Sequence, residues 1–205
     1  STTIDLTVTA VAIETLPFSQ NWTNTALISA PDNWTLVPAI VGYRGDDLTT
    51  STGTDPQTIL ADGSSTPVNV LANQTNPNGT ATGAVGEFEL PNPTIALQGS
   101  GTADAPHIVA RLNTSGLGGI RVSYNLRDID GSTDNAVQAV ALQYRIGNTG
   151  PFTNVPEAFV ADATTGPSTA TLVTPSPTAR MSPATSAPAL RDTRRRSPRT
   201  RRSYS

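Results

Sequence analysis

The sequence lacks two residue types on which many enzymes and metal sites depend. None of its 205 residues is cysteine or lysine, and His107 is its single histidine. Without cysteine there are no disulfides, thiolate zinc sites or cysteine nucleophiles, and without lysine there is no Schiff-base chemistry or P-loop lysine. One histidine excludes multi-histidine metal sites but leaves a Ser-His-Asp triad formally open. No apolar run approaches the ~18 residues of a membrane helix, so we expect no membrane span.

The thirteen basic residues are all arginines, and they are unevenly distributed. Residues 1–179 carry five arginines against fifteen acids, a net charge of −10. Residues 180–205 carry eight arginines against one acid, Asp192, a net charge of +7. The formal total of −3 therefore describes neither part, and the basic end is expected to be attracted to acidic surfaces such as the rest of the chain.

Composition also indicates where the protein works. Serine and threonine together make 49 of the 205 residues, and charged residues are few. This bias is typical of extracellular β-proteins. From this composition we expect a location outside the cell or on its surface. The chain begins at Ser1 without an initiator methionine, which indicates a processed product or an expressed fragment.

Alternation of apolar and polar residues predicts strands throughout residues 1–174. The first such stretch, residues 2–13, predicts a strand with one buried face, which carries Ile4, Leu6, Val8 and Ala10. Glycine and proline interrupt nearly every longer stretch, so we expect no helices. The chain is therefore predicted to be all-β, with residues 1–174 forming a jelly-roll-like antiparallel β-sandwich of roughly ten strands.

Later strands follow from the same periodicity. Residues 119–128 and 137–146 both alternate and flank a polar loop, which predicts a hairpin. Leu172-Val173 ends the last expected strand. The other expected strands cover residues 34–44, 84–90, 93–98 and 107–112.

The sequence changes character at Pro175. Of residues 175–205, 27 are Arg, Pro, Ser, Ala or Thr, and such a segment buries too little apolar surface to offset its ordering entropy. We therefore predict an irregular tail, whose clustered arginines are Arg194, Arg195, Arg196, Arg199, Arg201 and Arg202. Arginine pairs well with phosphate and other anions. However, Tyr204 is the only aromatic residue of the tail that could stack on a base, so nucleic acid is not the expected partner.

Several segments of the body carry a pattern found elsewhere: Phe18–Trp22, Gly42–Asp46, Gly119–Asp130, Asp134–Gln138, Ala141–Arg145, Phe152–Pro156 and Phe159–Pro167. Together they resemble a β-sandwich region of secreted multidomain bacterial proteins, some of which also have lamin-tail or extracellular-nuclease domains. The resemblance covers roughly residues 16–174 and implies no catalytic residues for this region. In that family further strands follow the position of residues 172–174, so one or more sandwich strands are expected to be missing here. A GC-rich gene read in a shifted frame would also produce such a tail.

Acidic residues in the polar loop suggest one metal site. Asp128, Asp130 and Asp134, with Asp46 and Asp47 elsewhere in the chain, could supply oxygens to calcium, the one cofactor that the pattern allows. Gly131 comes too early for an EF-hand loop, and a hairpin loop with Asx turns explains the same residues. Both interpretations stay open at this stage.

Other chemistry-bearing residues favour structural roles. Glu87 and Glu89 are two apart, as paired carboxylates of glycosidases can be, but an outward polar face with Phe88 pointing inward is the simpler interpretation. His107 lacks a nucleophile elbow and is expected at the surface or hydrogen-bonded. Four aromatic residues could form a sugar-stacking platform but are expected in the core: Trp22, Trp34, Tyr43 and Tyr124.

Five Asn-x-Ser/Thr sequons occur, and about three are expected by chance in this composition. Glycosylation is therefore allowed but not argued by the number. The asparagines are Asn21, Asn33, Asn73, Asn78 and Asn113.

These observations favour a non-catalytic extracellular structural protein that self-assembles into an oligomer or filament. The first strand and the arginine-rich tail would dock on neighbouring copies, because an incomplete sandwich with an exposed edge accepts a strand from another chain. The alternative is a secreted module that binds a carbohydrate or another surface polymer, either with calcium as its cofactor or without it. No complete catalytic set is visible, so we do not expect an enzyme.

Overall fold

The described part of the chain is built from strands. A computed structural model describes residues 13–46, 48–49, 53–62, 66–77, 83–129, 137–163, 172–173 and 179–181. Over these residues there are thirteen short strands, three single turns of 3₁₀ helix and no α-helix. The prediction of an all-β chain is therefore confirmed at this level.

The strands are β1 (Glu14–Thr15), β2 (Ile40–Tyr43), β3 (Leu71–Gln74), β4 (Ala84–Phe88), β5 (Thr94–Gln98), β6 (His107–Ala110), β7 (Leu112–Asn113), β8 (Ile120–Val122), β9 (Leu126–Arg127), β10 (Gln143–Tyr144), β11 (Thr153–Asn154), β12 (Leu172–Val173) and β13 (Ala179–Met181). The described strands form one three-stranded sheet, β3-β4-β5, and five pairs, β1-β7, β2-β6, β8-β13, β9-β12 and β10-β11. A jelly-roll sandwich needs larger facing sheets, so that finer topology stays a prediction.

The main hydrophobic core lies around β2, β3 and β4. Its buried members are Ile28, Trp34, Val37, Ile40, Val41, Val70, Ala72 and Val85. A smaller cluster surrounds Val155 and Ala158, against which Tyr124 packs. Trp34 is thus a core residue, as expected, and Trp22 and Tyr43 are partly buried against the same core.

Two glycines let β2 and the following loop pass close to their neighbours. A Cβ at Gly42 would lie 2.4 Å from Trp34 Cζ2 and 2.9 Å from the carbonyl oxygen of Asn69. A Cβ at Gly45 would lie 2.0 Å from the carbonyl oxygen of Ala105, and φ there is +71°. Both glycines of the Gly42–Asp46 segment are therefore required by close approach.

The buried side-chain amide of Asn69 connects the turn before β2 with β4 through hydrogen bonds. Asn69 Oδ1 accepts from the Val85 amide at 3.0 Å, and its Nδ2 donates to Asp32 Oδ1 at 3.2 Å. The Trp34 indole N–H donates to the Asn69 carbonyl oxygen at 3.0 Å. Because Asn69 is 9% exposed, these bonds satisfy polar groups that water scarcely reaches.

The expected hairpin between residues 119–128 and 137–146 is wrong as a pairing. β10 pairs with β11, while β8 and β9 pair with β13 and β12. The turn between β10 and β11 contains Gly147 at φ +79° and Gly150 at φ +93°, conformations that glycine adopts without strain. The alternation identified the strands correctly. The partner of β10 depends on the turn that these two glycines allow, which brings β11 beside it.

Other expected strands differ mainly in length. The segments 84–90 and 93–98 are confirmed as the antiparallel pair β4-β5. The strand expected at 34–44 begins only at Ile40, since Pro38 cannot donate to a ladder and Ala39 has φ +58°. The stretch 107–112 contains β6 and the first residue of β7.

The first and last strands predicted for the sandwich differ in whether the structure describes them. The first strand, residues 2–13, lies outside the described residues except for Ile13, which is 65% exposed. β12 occurs where the last strand was expected. β13 lies inside the tail, so the prediction of irregular structure is wrong for Ala179–Met181.

Candidate functional site

One face of β6, continued by the residue that follows it, carries two chemistry-bearing side chains, because side chains alternate along a strand. His107 and Val109 point to the same side, and Arg111 continues this row beyond the end of β6. The Arg111 amide donates to the Ala39 carbonyl oxygen at 2.8 Å, which extends the β2-β6 pairing by one residue. His107 is directly opposite Tyr43, and their rings stack with centroids 5.3 Å apart at 20°.

A second wall faces this row and is supported by the β10-β11 hairpin. Gln143 Nε2 lies 3.1 Å from the Pro56 carbonyl oxygen and 3.0 Å from that of Ile59. The Phe152 amide donates to the Leu60 carbonyl oxygen at 2.8 Å. These bonds hold the segment ending at residue 62 against the hairpin.

Arg145 directly follows β10 and belongs to this second wall. Its guanidinium carbon lies 4.4 Å from the centre of the Phe152 ring, a cation–π distance. Its Nη1 forms an ion pair with Asp62, whose side chain is 50% exposed. The two walls enclose a cleft lined by Tyr43, Asp62, Thr66, His107, Val109, Arg111 and Arg145.

Hydrogen bonding fixes the polar groups of the cleft. Arg111 Nη2 donates to the Tyr43 hydroxyl at 3.3 Å, whereas Arg111 Nη1 is buried and has no hydrogen-bond partner among the residues described. His107 Nδ1 lies 2.9 Å from the Ala105 carbonyl oxygen. Because a carbonyl only accepts, Nδ1 carries a hydrogen and Nε2 is the acceptor of the neutral ring. The expectation of a hydrogen-bonded histidine is confirmed.

Sequence reasoning missed Arg111 and Arg145 as members of a site. The spacing of His107 and Arg111, four residues apart on one strand, would have placed both on the same face. Nothing in the sequence indicates that Arg145 comes to the opposite wall, because that contact depends on the β10-β11 pairing.

The predicted calcium site is only partly covered. Asp128 is described, and Asp130 and Asp134 lie outside the described residues. Within the described ranges, no group of three or more His, Asp or Glu residues could hold a metal ion. Asp46 instead pairs with Arg44 at 2.9 Å. Calcium binding by the loop stays a prediction.

Glu87 was expected on an outward face, and that expectation is wrong. Glu87 is 4% exposed and its neighbour Phe88 2% exposed, so both faces of β4 are covered. Phe88 can be buried because its ring folds back over Gly86, where a Cβ would lie 2.7 Å from Cε2. Glu89, in contrast, is exposed. The two acids therefore do not form a matched pair in one environment.

The buried Glu87 carboxylate is incompletely satisfied. Its Oε2 accepts from the Asn73 amide at 2.7 Å, whereas Oε1 is buried with no partner in the described part of the chain. Burial raises the pKa of Glu87 above its usual value; the Asn73 hydrogen bond opposes this, and the nearby Glu89 adds to it. Glu87 is therefore a buried acid whose described hydrogen-bond partner is a main-chain amide.

Three of the five sequons form local turns that explain their spacing. Asn21 Oδ1 accepts from the Thr23 amide at 3.1 Å, and Asn33 and Asn113 do the same with the residue two positions on, at 3.0 Å each. These are Asx turns, so Asn-x-Ser/Thr has a structural reason here. Asn73 is exposed and donates to the Ser29 carbonyl oxygen, and Asn78 lies outside the described residues.

The residues predicted to mediate self-assembly are not described. Ile4, Leu6, Val8 and Ala10 lie before the first described residue, and the six clustered arginines of the tail lie after the last. Their docking therefore stays a prediction.

Comparisons with known proteins assign no family to this chain. No family model, no curated protein and no solved structure matches this chain. In the described part of the chain, no helix has the length and apolar character needed to cross a membrane. The cleft is therefore interpreted from its own residues.

Proposed function

We propose that this protein is a non-catalytic structural protein of the cell exterior that assembles with copies of itself by strand addition. The observation that carries the proposal is β13, a strand within the arginine-rich tail that pairs antiparallel with β8. Ala179, Arg180 and Met181 lie opposite Val122, Arg121 and Ile120. Main-chain pairing of this kind is equally available to the same segment of another copy.

The short sheets support strand exchange. β8 and β9 have strands from the end of the chain as their partners, and each pairing covers only three or two residues. A two-stranded sheet is marginally stable in water by itself, and an unpaired strand edge readily accepts another chain. We propose that such additions complete the jelly-roll-like sandwich that the alternation of residues 1–174 predicts.

The charge distribution gives the association a direction. A body of net charge −10 attracts a tail of net charge +7 on a neighbouring copy. If each tail engages the next body rather than its own, the contact does not close on itself and generates a filament. The attraction weakens as salt screens it, over about 10 Å at 0.1 M ionic strength.

The test combines sedimentation velocity with negative-stain microscopy of the full chain at low and high salt. We expect concentration-dependent assemblies that shrink in 1 M NaCl. Arg180→Pro removes one main-chain donor from β13 and should weaken assembly, whereas Ala187→Pro, seven residues further on, should not. A full chain that stays monomeric at high protein concentration in low salt would contradict the proposal.

A second arm separates strand addition from charge attraction. In one variant all six clustered tail arginines are changed to serine, which leaves β13 intact. We expect this variant to assemble more weakly and to lose most of its salt dependence. If it and Arg180→Pro both assemble like the unaltered chain, neither the tail strand nor its charge mediates association.

A further inference from the structure

The cleft between β6 and the β10-β11 hairpin concentrates positive charge in an acidic body. Residues 1–179 contain five arginines against fifteen acids, yet two of the five, Arg111 and Arg145, line this one cleft. Among the described residues that line it, Asp62 is the single acid, and it is already paired with Arg145. A cationic cleft in a body of net charge −10 indicates a ligand with a negative group rather than a cation.

Arg111 has unused donor capacity at this position. Its Nη2 donates to the Tyr43 hydroxyl at 3.3 Å, while its buried Nη1 has no hydrogen-bond partner among described residues. An unsatisfied buried donor of a charged group is destabilising, so a ligand that supplies an acceptor there gains from pairing with it. Nη1 itself is shielded from solvent, but Arg111 as a whole is only partly buried and lines the cleft, so its guanidinium borders the space that an acceptor would enter.

The remaining lining residues suit a sugar acid. A guanidinium matches a planar carboxylate with two parallel hydrogen bonds. Around it lie the Tyr43–His107 ring pair, the Thr66 side chain and the Asp62 carboxylate, a mixture of aromatic faces and hydroxyl-binding groups. Such groups bind the ring and hydroxyls of a sugar while Arg111 fixes its charge.

We propose that this cleft binds a carboxylate-bearing sugar, such as a uronic acid residue of an acidic polysaccharide, with Arg111 as the carboxylate anchor. The site is independent of strand addition, because none of its lining residues belongs to β8, β9, β12 or β13. It would let an assembled protein hold an acidic surface polymer.

His107 provides a specific probe, because it is the single histidine of the chain and lines the cleft. The experiment follows its imidazole NMR signal in the full chain at 0.15 M NaCl, as D-galacturonate is added. D-galactose, which has the same ring without the carboxylate, is the matched ligand control. Both are monosaccharides, so nonspecific capture of a polyanion by the tail does not move this signal. We expect saturable shifts with galacturonate and none with galactose at the same concentrations.

Variants test the role of Arg111. Arg111→Gln should weaken galacturonate binding at least tenfold, and Arg111→Lys should weaken it less, because charge is kept but the paired donors are lost. Arg121→Gln changes an exposed arginine outside the cleft and should leave binding unaltered. Arg145→Gln, on the opposite wall, gives a second test should Arg111→Gln not fold.

Four results would overturn the proposal. The first three are no saturable shift with galacturonate, equal shifts with galactose, and equal losses in Arg111→Gln and Arg121→Gln. Sulfate that competes as well as galacturonate would also overturn it, because it would show that the cleft binds any oxyanion and no sugar.

Discussion

Adding one methyl group at Gly42 tests the packing that holds β2 in place. A Cβ there lies 2.4 Å from Trp34 Cζ2, whereas carbon atoms in contact are about 3.5–4.0 Å apart. The indole must therefore retreat by about 1 Å. That movement strains the hydrogen bond from its N–H to the Asn69 carbonyl oxygen, which is 3.0 Å long.

The size of the effect follows from these two contacts. Overpacking a core is unfavourable by about 1–3 kcal/mol, and loss of a buried hydrogen bond by about 1–3 kcal/mol. We expect Gly42→Ala to lower the free energy of unfolding by about 3 kcal/mol. At this chain length that corresponds to a fall in melting temperature of roughly 6–12 °C.

Gly118→Ala is the matched control, because a Cβ there meets no atom within 4 Å and φ is not left-handed. It should be neutral or slightly stabilising. Urea denaturation followed by far-UV circular dichroism measures both variants without depending on tryptophan fluorescence. If Gly42→Ala is as stable as Gly118→Ala, the close approach inferred for Trp34 is wrong.

A double-mutant cycle then identifies the atom responsible. Phenylalanine has no atom equivalent to Cζ2, so Gly42→Ala should be less destabilising in a Trp34→Phe background than in the unaltered chain. We expect a coupling energy of about 1 kcal/mol or more. An unchanged penalty would place the clash elsewhere, at the Asn69 carbonyl oxygen.

Three further predictions concern buried or partly buried polar groups. Burial raises the pKa of Glu87 in the folded state above its unfolded value, so the native state binds more protons than the unfolded state, and the free energy of unfolding falls as pH rises above about 4.5. Glu87→Gln should make this fall smaller, which urea denaturation at a series of pH values measures. Tyr124 donates to the Ala158 carbonyl oxygen at 2.6 Å, so Tyr124→Phe should lower the free energy of unfolding by about 1 kcal/mol in the same assay. Gln143→Ala removes the hydrogen bonds to the Pro56 and Ile59 carbonyl oxygens that hold the segment ending at residue 62 against the β10-β11 hairpin. We therefore expect faster hydrogen exchange at the Phe152 amide. An unchanged pH profile, unfolding energy or exchange rate would contradict the respective prediction.

Alternation predicted strand positions well where turn chemistry was also explicit. β4 and β5 flank Pro91-Asn92-Pro93, and they form the antiparallel pair that this spacing indicates. The expected partner of residues 137–146 was wrong because alternation identifies the faces of a strand and not its neighbour. Gly147 and Gly150, both at positive φ, decide that neighbour by allowing the turn to β11.

Burial on both sides of a strand is harder to predict from sequence. A polar residue between apolar ones normally indicates a solvent face, which is why Glu87 was expected outside. Gly86 removes the side chain that would otherwise fill one position, and the Phe88 ring occupies that space. Phe88 is therefore buried without turning Glu87 outward, an arrangement that depends on packing rather than on period.

The arginines show how the two proposals divide the molecule. Arg111 and Arg145 are each held by a specific partner, the Tyr43 hydroxyl and the Asp62 carboxylate, so they present charge at a fixed place. The tail carries its arginines in runs, a distribution suited to attraction over a broad surface rather than to one ligand. Changing the six clustered tail arginines to serine should therefore weaken assembly and leave the His107 response to galacturonate intact. Arg111→Gln should do the reverse, because each charge set acts on a different partner. If either change alters both properties, assembly and ligand binding share one surface, and the division of charge proposed for this chain is wrong.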